Sequence, residues 1–313
     1  MMKVASVGIL VADVIAEPVG GYPGKGMLDR VNSITVHNGG NAMTAAINLS
    51  RMGTPAAIVG MVGNDMFGTY LKGVLDNSGV DTRSLSVSQK VQTSASVVML
   101  DETGERSFLH CVGANAAFSV SNVDFSVIEE CDLVFVTGTY LMDTFDGAET
   151  VEFLKRCKEM GKTTFLDVCW DAKGRWGALL NDAMPYIDFL MPSIDEAVNI
   201  AGETEPEKIA DVFMQRGAKN VIIKMGSKGS FMRLAGEAVG TTYPVLKGIT
   251  AVDTTGAGDS FCSGFLAAYA RGMAPEFAIK YANATGALCV TAMGATTGIR
   301  TYEETIKFLE EHS

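Results

Sequence analysis

The segment Asp253-Thr254-Thr255-Gly256-Ala257-Gly258-Asp259-Ser260-Phe261 gathers residues whose types and spacing suit chemistry on an anion. Its small residues let the backbone approach a charged group closely. A long helical pattern follows, so the N–H groups of Gly256, Ala257 and Gly258 should point from a helix N-terminus, where the dipole favours negative charge. Such a nest suits the charge that develops on a phosphoryl group in transfer. Asp259 stands in the first turn of the same helix. Taken alone, it reads as a helix cap at least as readily as a reactive carboxylate. Two other phosphate-binding patterns fail. Gly161-Lys162-Thr163 looks like the end of a Walker A loop, but Arg156 stands where the earlier glycine is required, and the segment runs from helix to strand, the reverse order. It reads as a helix C-cap. No GxGxxG follows the first apolar strand, which removes the dinucleotide fingerprint.

The elements that must position this segment alternate. Strands are predicted at Lys3 to Ala12, Ala56 to Val62, Leu133 to Thr137, Thr163 to Val168, Tyr186 to Met191 and Val221 to Met225, with a meander over Ser230 to Leu234 and Thr241 to Leu246. Helical spacing occupies Ala42 to Met52, Phe67 to Leu75, Ala148 to Met160, Asp195 to Ala201, Glu207 to Arg216, Asp259 to Arg271, Pro275 to Met293 and Tyr302 to Glu311. Apolar strands alternating with helices imply an α/β fold, a mainly parallel sheet flanked by helices on both faces. Two segments, about 17–37 and 91–112, break the rhythm. The second contains a hairpin signal around Asp101-Glu102-Thr103-Gly104. Both are candidates for a small β-sheet lid within one domain spanning 1–313.

Lys+Arg total 25 against 36 Asp+Glu, a formal net charge of −11, and no basic run breaks this balance. An acidic surface repels nucleic-acid backbones, so no nucleic-acid partner is expected. Six cysteines without CxxC spacing read as reduced thiols of a cytoplasmic protein, and three scattered histidines form no metal pattern. The apolar run Val4 to Ala12 could pass for a signal peptide, but Asp13 ends it and no clean A-x-A site follows. No run reaches the length of a membrane span.

DTTGAGDSF is similar to the second signature of the ribokinase-like (PfkB) carbohydrate kinases. The first signature has a counterpart in Gly39-Gly40-Asn41-Ala42-Met43-Thr44-Ala45-Ala46, continuing through Leu49 to Gly53. Further matches are Gly60 to Gly68, Gly113-Ala114-Asn115 and Lys224-Met225-Gly226-Ser227-Lys228-Gly229. They occur in the family's order over nearly the whole chain.

This resemblance implies an ATP- and Mg²⁺-dependent kinase. Asp259 matches the base that accepts the proton of the attacking hydroxyl, with Gly256, Ala257 and Gly258 as the anion hole. Asp13 matches an aspartate that binds sugar hydroxyls, and Gly39, Gly40, Asn41 and Thr44 fall beside the acceptor. Adenosine is expected against Lys224, Gly226, Ser227 and Gly229, with Ser193, Gly258 and Asn283 also on the nucleotide side. Glu196 would organise Mg²⁺ through water, or merely start a helix. Asp253, Thr255, Cys289, Ala292, Gly294 and Gly298 align with a monovalent-cation loop, potassium in the family; simple loop packing is the alternative. The resemblance also implies a homodimer built through the lid.

Departures bear on the acceptor. Thr44 stands where the family often has Asn, Ser193 replaces the Asn of an Asn-x-x-Glu motif, and Val11 replaces an Asn of ribokinase. No sugar-binding glutamate occurs in Thr137-Gly138-Thr139-Tyr140-Leu141. Ribose is therefore not favoured. Asp167, with Trp170 and Trp176 nearby in sequence, could orient phosphates or acceptor, or simply end a strand. The expected acceptor is a sugar or sugar acid with a primary hydroxymethyl group. A nucleoside, with Tyr22, Phe108 or Phe118 as a shelf for its base, is the alternative, followed by a non-catalytic sugar-binding relative.

Overall fold

The computed structural model describes residues 1–312, and their strands fall into two sheets. In chain order they are β1 Val4–Gly8, β2 Val11–Glu17, β3 Ser33–Gly39, β4 Ala56–Gly63, β5 Asp81–Ser88, β6 Ala95–Leu100, β7 Arg106–Cys111, β8 Leu133–Thr139, β9 Thr163–Val168, β10 Phe189–Leu190, β11 Asn220–Lys224, β12 Ser230–Arg233 and β13 Thr241–Tyr243. The large sheet has the order β13-β12-β11-β10-β9-β8-β1-β4-β5 and is parallel except at its β11-β12-β13 end. Neighbouring residues of its strands go to opposite faces. Val4, Ile58, Phe135 and Ile222 join the core with helices Asn41–Arg51 and Ala257–Tyr269, while Ala5, Val59, Val134 and Ile223 join the core with helices Ala148–Glu159 and Pro206–Gln215. Both faces being covered, these strands are mainly apolar.

The small sheet has the order β3-β2-β6-β7, with β2 and β6 parallel and the other pairs antiparallel. It corrects the first predicted strand. Lys3 to Ala12 is not one strand: β1 belongs to the large sheet and β2 to the small one. The chain changes sheets at Gly8, whose φ of 148° and absent Cβ (which would sit 1.8 Å from the Thr137 carbonyl oxygen) leave no room for another residue. Asn115 pins the crossing. Its side chain accepts from the Leu10 N–H at 3.1 Å and donates to the Leu10 carbonyl at 2.9 Å. Periodicity could not reveal the change, because Val4 to Ala12 is buried without interruption.

The small sheet thus takes Val11–Glu17, ahead of the 17–37 segment, and residues 18–32 contain no strand. β5 went unassigned in the sequence because its Asp-Thr-Arg-Ser-Leu-Ser-Val-Ser run carries little apolar signal at the sheet's edge. The strand expected at Tyr186 to Met191 shrinks to the two residues of β10, since a 3₁₀ segment holds Asn181–Tyr186. No described helix is long and apolar enough to cross a membrane.

Candidate active site

Helix Ala257–Tyr269 begins behind Gly256, whose φ of 74° is left-handed and whose absent Cβ would lie 2.3 Å from Ala295 Cβ. A side chain there would push the loop off its support. Asp259 is the third residue of this helix and does not cap it. Its Oδ1 accepts instead from Asn41 Nδ2 at 2.7 Å, from the start of helix Asn41–Arg51. Burial raises the Asp259 carboxyl above its ordinary value, opposed by the Lys224 charge and the Asn41 hydrogen bond. The two helices are also joined by Asn48 Nδ2, which donates to Ser260 Oγ at 3.1 Å.

Lys224 ends β11 and reaches the same place. Its Nζ lies 2.6 Å from Asp167 Oδ2, with side chains 13% and 2% exposed, and a Cβ on Gly258 would meet Nζ at 3.5 Å. Burial works against the Lys224 charge, and Asp167, Cys262 and Glu196 together more than offset it, so the ammonium is held protonated. Cys262 closes the cluster, its Sγ 3.5 Å from Asp167 Oδ2.

Two cavities flank the glycine loop. The first, about 390 Å³, is walled by Lys224, Gly226, Ser227, Gly229, Ala257, Gly258 and Asn283, and by Val245, Leu246, Ile249, Phe261, Gly286, Ala287 and Val290. Gly229 has φ 91° and no space for a Cβ against the Tyr243 carbonyl oxygen. Asn283 also has structural duties, accepting from Ser230 Oγ at 3.1 Å and donating to the Pro244 carbonyl at 3.2 Å.

The second, about 450 Å³, lies under the small sheet and holds Asp13, Gly39, Gly40, Asn41, Thr44, Gly256 and Asp259, together with His37, Val98, Arg106, Phe108 and Met293. Asp13 sits within β2, opposite His37 and Ser96. It is not at the end of a central strand, as the sequence suggested. Burial raises its carboxyl, while Ser96, His110, His37 and Arg106 pull it back down. A Cβ on Gly39 would meet Asp13 Oδ2 at 2.2 Å, so the glycine makes room for that carboxylate. Gly40, φ 88°, packs equally tightly on the Ile9 backbone.

The structure therefore brings together Asp259, the glycine loop, Asp13, Gly39, Gly40, Asn41, Thr44, Lys224, Gly226, Ser227, Gly229 and Asn283. Ser193 and Glu196 do not border either cavity. They form a capping box for helix Ile194–Ala201, Ser193 N–H donating to Glu196 Oε2 at 2.7 Å. Of the aromatic candidates, Phe108 lines the second cavity, Tyr22 faces solvent, and Phe118 is buried against Phe145. Trp170 packs edge-on to Trp176 outside both cavities. Sequence reasoning gave no site role to Val245 and Leu246, which it placed at the end of a strand that the structure stops at Tyr243, to Ile249 just beyond them, or to Arg106, whose only signal is its place after the hairpin turn.

Asp253, Thr255, Cys289 and Gly294 also converge, but not on open oxygens. Asp253 Oδ1 accepts from Thr255 N–H, Thr255 Oγ and Arg106, and Oδ2 accepts from Gly294 N–H at 2.9 Å. The Thr255 carbonyl accepts from Cys289 Sγ at 3.3 Å. Ala292 donates its N–H to the Cys289 carbonyl, and Gly298 lies so close to Leu288 and Cys289 that a Cβ would meet the Leu288 oxygen at 2.3 Å. No described group of three or more His, Cys, Asp or Glu residues could hold a metal ion.

Residues 1–301 match the pfkB family carbohydrate kinase model. A fructokinase from Vibrio alginolyticus is 30% identical over 285 residues, covering 87% of this chain and 91% of its own. The structure of Arabidopsis thaliana ribokinase complexed with ribose and ATP superposes with a TM-score of 0.86 at 26% identity, covering 99% of both chains. An Escherichia coli chain called ribokinase II, solved with ATP and Mg²⁺, gives 0.84 at 25% identity over the whole of both chains. With the family model matched up to the last helix, and its glycine loop, aspartate and flanking cavities in place, this chain belongs to the PfkB family of carbohydrate kinases.

Proposed function

We propose that this chain transfers the γ-phosphoryl group of ATP to a primary hydroxymethyl group of a small carbohydrate, a sugar or sugar acid. One observation carries the reading: a single loop walls both cavities, with Ala257 and Gly258 on one side and Gly256 and Asp259 on the other. A donor in the first cavity and an acceptor in the second would meet over the N-terminus of helix Ala257–Tyr269.

In this reading Asp259 accepts the proton of the attacking hydroxyl while Asn41 fixes its carboxylate. The backbone N–H groups of the loop and the Lys224 ammonium face the charge that grows on the transferred group. The apolar walls Val245, Leu246 and Ile249 accommodate the adenine. Asp13 accepts hydrogen bonds from acceptor hydroxyls. Mg²⁺, when bound, offsets phosphate charge. The residues present suit an ion carried by the phosphates and water rather than by a protein cage, with Glu196 as the sequence-implied water contact.

The small sheet acts as a lid that excludes water from the transfer. Its outer face, with Val36, Val97 and Leu109 in one cross-strand row, is apolar and exposed. A sheet of this size is marginal alone, so a second copy of the chain would cover it. Phe108, 60% exposed in the acceptor cavity, favours a nucleoside as the second reading.

The test is ATP turnover across a panel of sugars, sugar acids and nucleosides. A sugar or sugar acid giving the highest kcat/KM is expected. Turnover confined to nucleosides would overturn the acceptor class, and sugar binding without any turnover would make the chain a binding protein.

A further inference from the structure

The loop that resembles a monovalent-cation site is reached by a side chain distant in sequence. Arg106, the first residue of β7, points from the small sheet across the acceptor cavity. Its Nη2 donates to Asp253 Oδ1 at 2.9 Å, and its Nη1 donates to Thr255 Oγ. Asp253 is the only acidic residue of that loop set, its side chain is 6% exposed, and Arg106 is 29% exposed. The Thr255 N–H and hydroxyl and the Gly294 N–H converge on the Asp253 carboxylate, and its counter-charge is a guanidinium. Donors already engage both of its oxygens and the Thr255 carbonyl, which does not fit a bare-ion cage.

We propose that Arg106 is a positioning residue that takes the place of a monovalent ion. Its guanidinium supplies the positive charge that Asp253 and Thr255 require beside the glycine loop. Because it is carried on the small sheet, it ties the approach of that sheet to the order of residues 253–256. A potassium ion would be present whether the lid were open or closed. Arg106 delivers its charge only when β7 is down, so the anion hole is ordered when the acceptor is enclosed. The kinetic part of this idea rests on the phosphotransfer reading; the ordering part does not.

The experiment compares the full chain with Arg106→Gln and Arg106→Lys in potassium chloride and in tetramethylammonium chloride. The readouts are hydrogen exchange of 253–258 and 290–297, and turnover of the best acceptor. The wild type should show the same protection and, within about twofold, the same kcat in both salts. Arg106→Gln should lose protection in both segments and roughly tenfold in kcat, the scale of a partly exposed ion pair with charge-assisted hydrogen bonds. Potassium or millimolar guanidinium should restore part of both losses, which a merely structural defect would not allow. Arg106→Lys, keeping the charge but not the fork, should fall between. Wild-type protection that depends on potassium, or unchanged protection in Arg106→Gln, would overturn the proposal. If no acceptor turns over while exchange behaves as expected, the phosphotransfer reading fails and the ordering role of Arg106 stands.

Discussion

The two cavities differ in who builds them. The nucleotide-side cavity is made from the large sheet and its helices, with apolar walls and glycines at Gly226, Gly229, Gly258 and Gly286. The acceptor cavity draws much of its wall from the small sheet, which adds the titratable or hydrogen-bonding Asp13, Glu17, Thr35, His37 and Arg106 alongside the apolar Ile15, Val98, Leu100 and Phe108. Large-sheet strands are held on both faces by packed cores. The small sheet contributes few core residues beyond Ala12, near the start of β2, and keeps an exposed outer face. A common cofactor calls for a fixed socket, whereas acceptor choice can be altered on a sheet whose changes leave the core intact. The glycine loop belongs to both.

The most damaging change should strike the shared wall. Asp259→Asn keeps size and the contact with Asn41 but removes the base, and kcat should fall on the order of 10²–10⁴-fold with substrate affinities and thermal stability preserved. Near-normal turnover would remove Asp259 from the mechanism. Next comes the large-sheet side. Lys224→Met leaves Asp167 buried without its partner, a loss of about 3–5 kcal/mol, or a fall of roughly 5–10 °C in Tm. The unpaired carboxylate should have a pKa raised further above its unfolded value. Its penalty is then present at neutral pH and fades as the pH falls and Asp167 takes a proton. Adding Asp167→Asn should restore most of the stability. Calorimetry of both variants against pH checks this, and a pH-independent deficit would count against the pair.

The same contrast explains what the sequence disclosed. The glycine loop was legible because its constraint is local: Gly256 needs a positive φ and close approach, and only one residue type supplies both. The central strands were legible from burial on both faces. The change of sheet at Gly8 was not, since apolar residues run through it, and Asp13, expected at the end of the first strand, lies instead within β2, where it lines the second cavity. Arg106 was invisible for another reason. Its partners, Asp253 and Thr255, lie nearly half the chain away, and no periodicity reports an ion pair between a hairpin and a loop. Glu196 reads from the sequence either as a water-mediated contact to a metal or as the start of a helix, and the structure shows it in the capping box of that helix.

Within the small sheet, its two faces should separate by experiment. Asp13→Ala removes a charged hydrogen-bond acceptor from the inner face, and acceptor KM should rise about tenfold to a hundredfold with ATP KM little changed. Equal effects on both substrates would contradict its placement. On the outer face, Val36→Asp with Leu109→Asp should convert a dimer to a monomer in light scattering while leaving the fold intact. A wild type already monomeric at micromolar concentration would reject the dimer.

The smallest effect tests how the two sides meet at Asp259. A base must be ionised to accept a proton, so kcat/KM should have an acid limb at the Asp259 pKa of the free protein. Burial sets that pKa above the ordinary carboxylate value, and the Lys224 charge and the Asn41 hydrogen bond both pull it down. Asn41→Ala deletes a bond made to the charged form, so the limb should move to higher pH. One charge-assisted hydrogen bond corresponds to a shift of up to about one pH unit. At alkaline pH Asp259 is ionised in either protein, and the deficit from this cause should vanish there. Any contact that Asn41 makes with the acceptor would lower kcat/KM equally at every pH, which separates the two roles. A limb that stays in place, or moves to lower pH, would mean that the 2.7 Å contact does not tune the base.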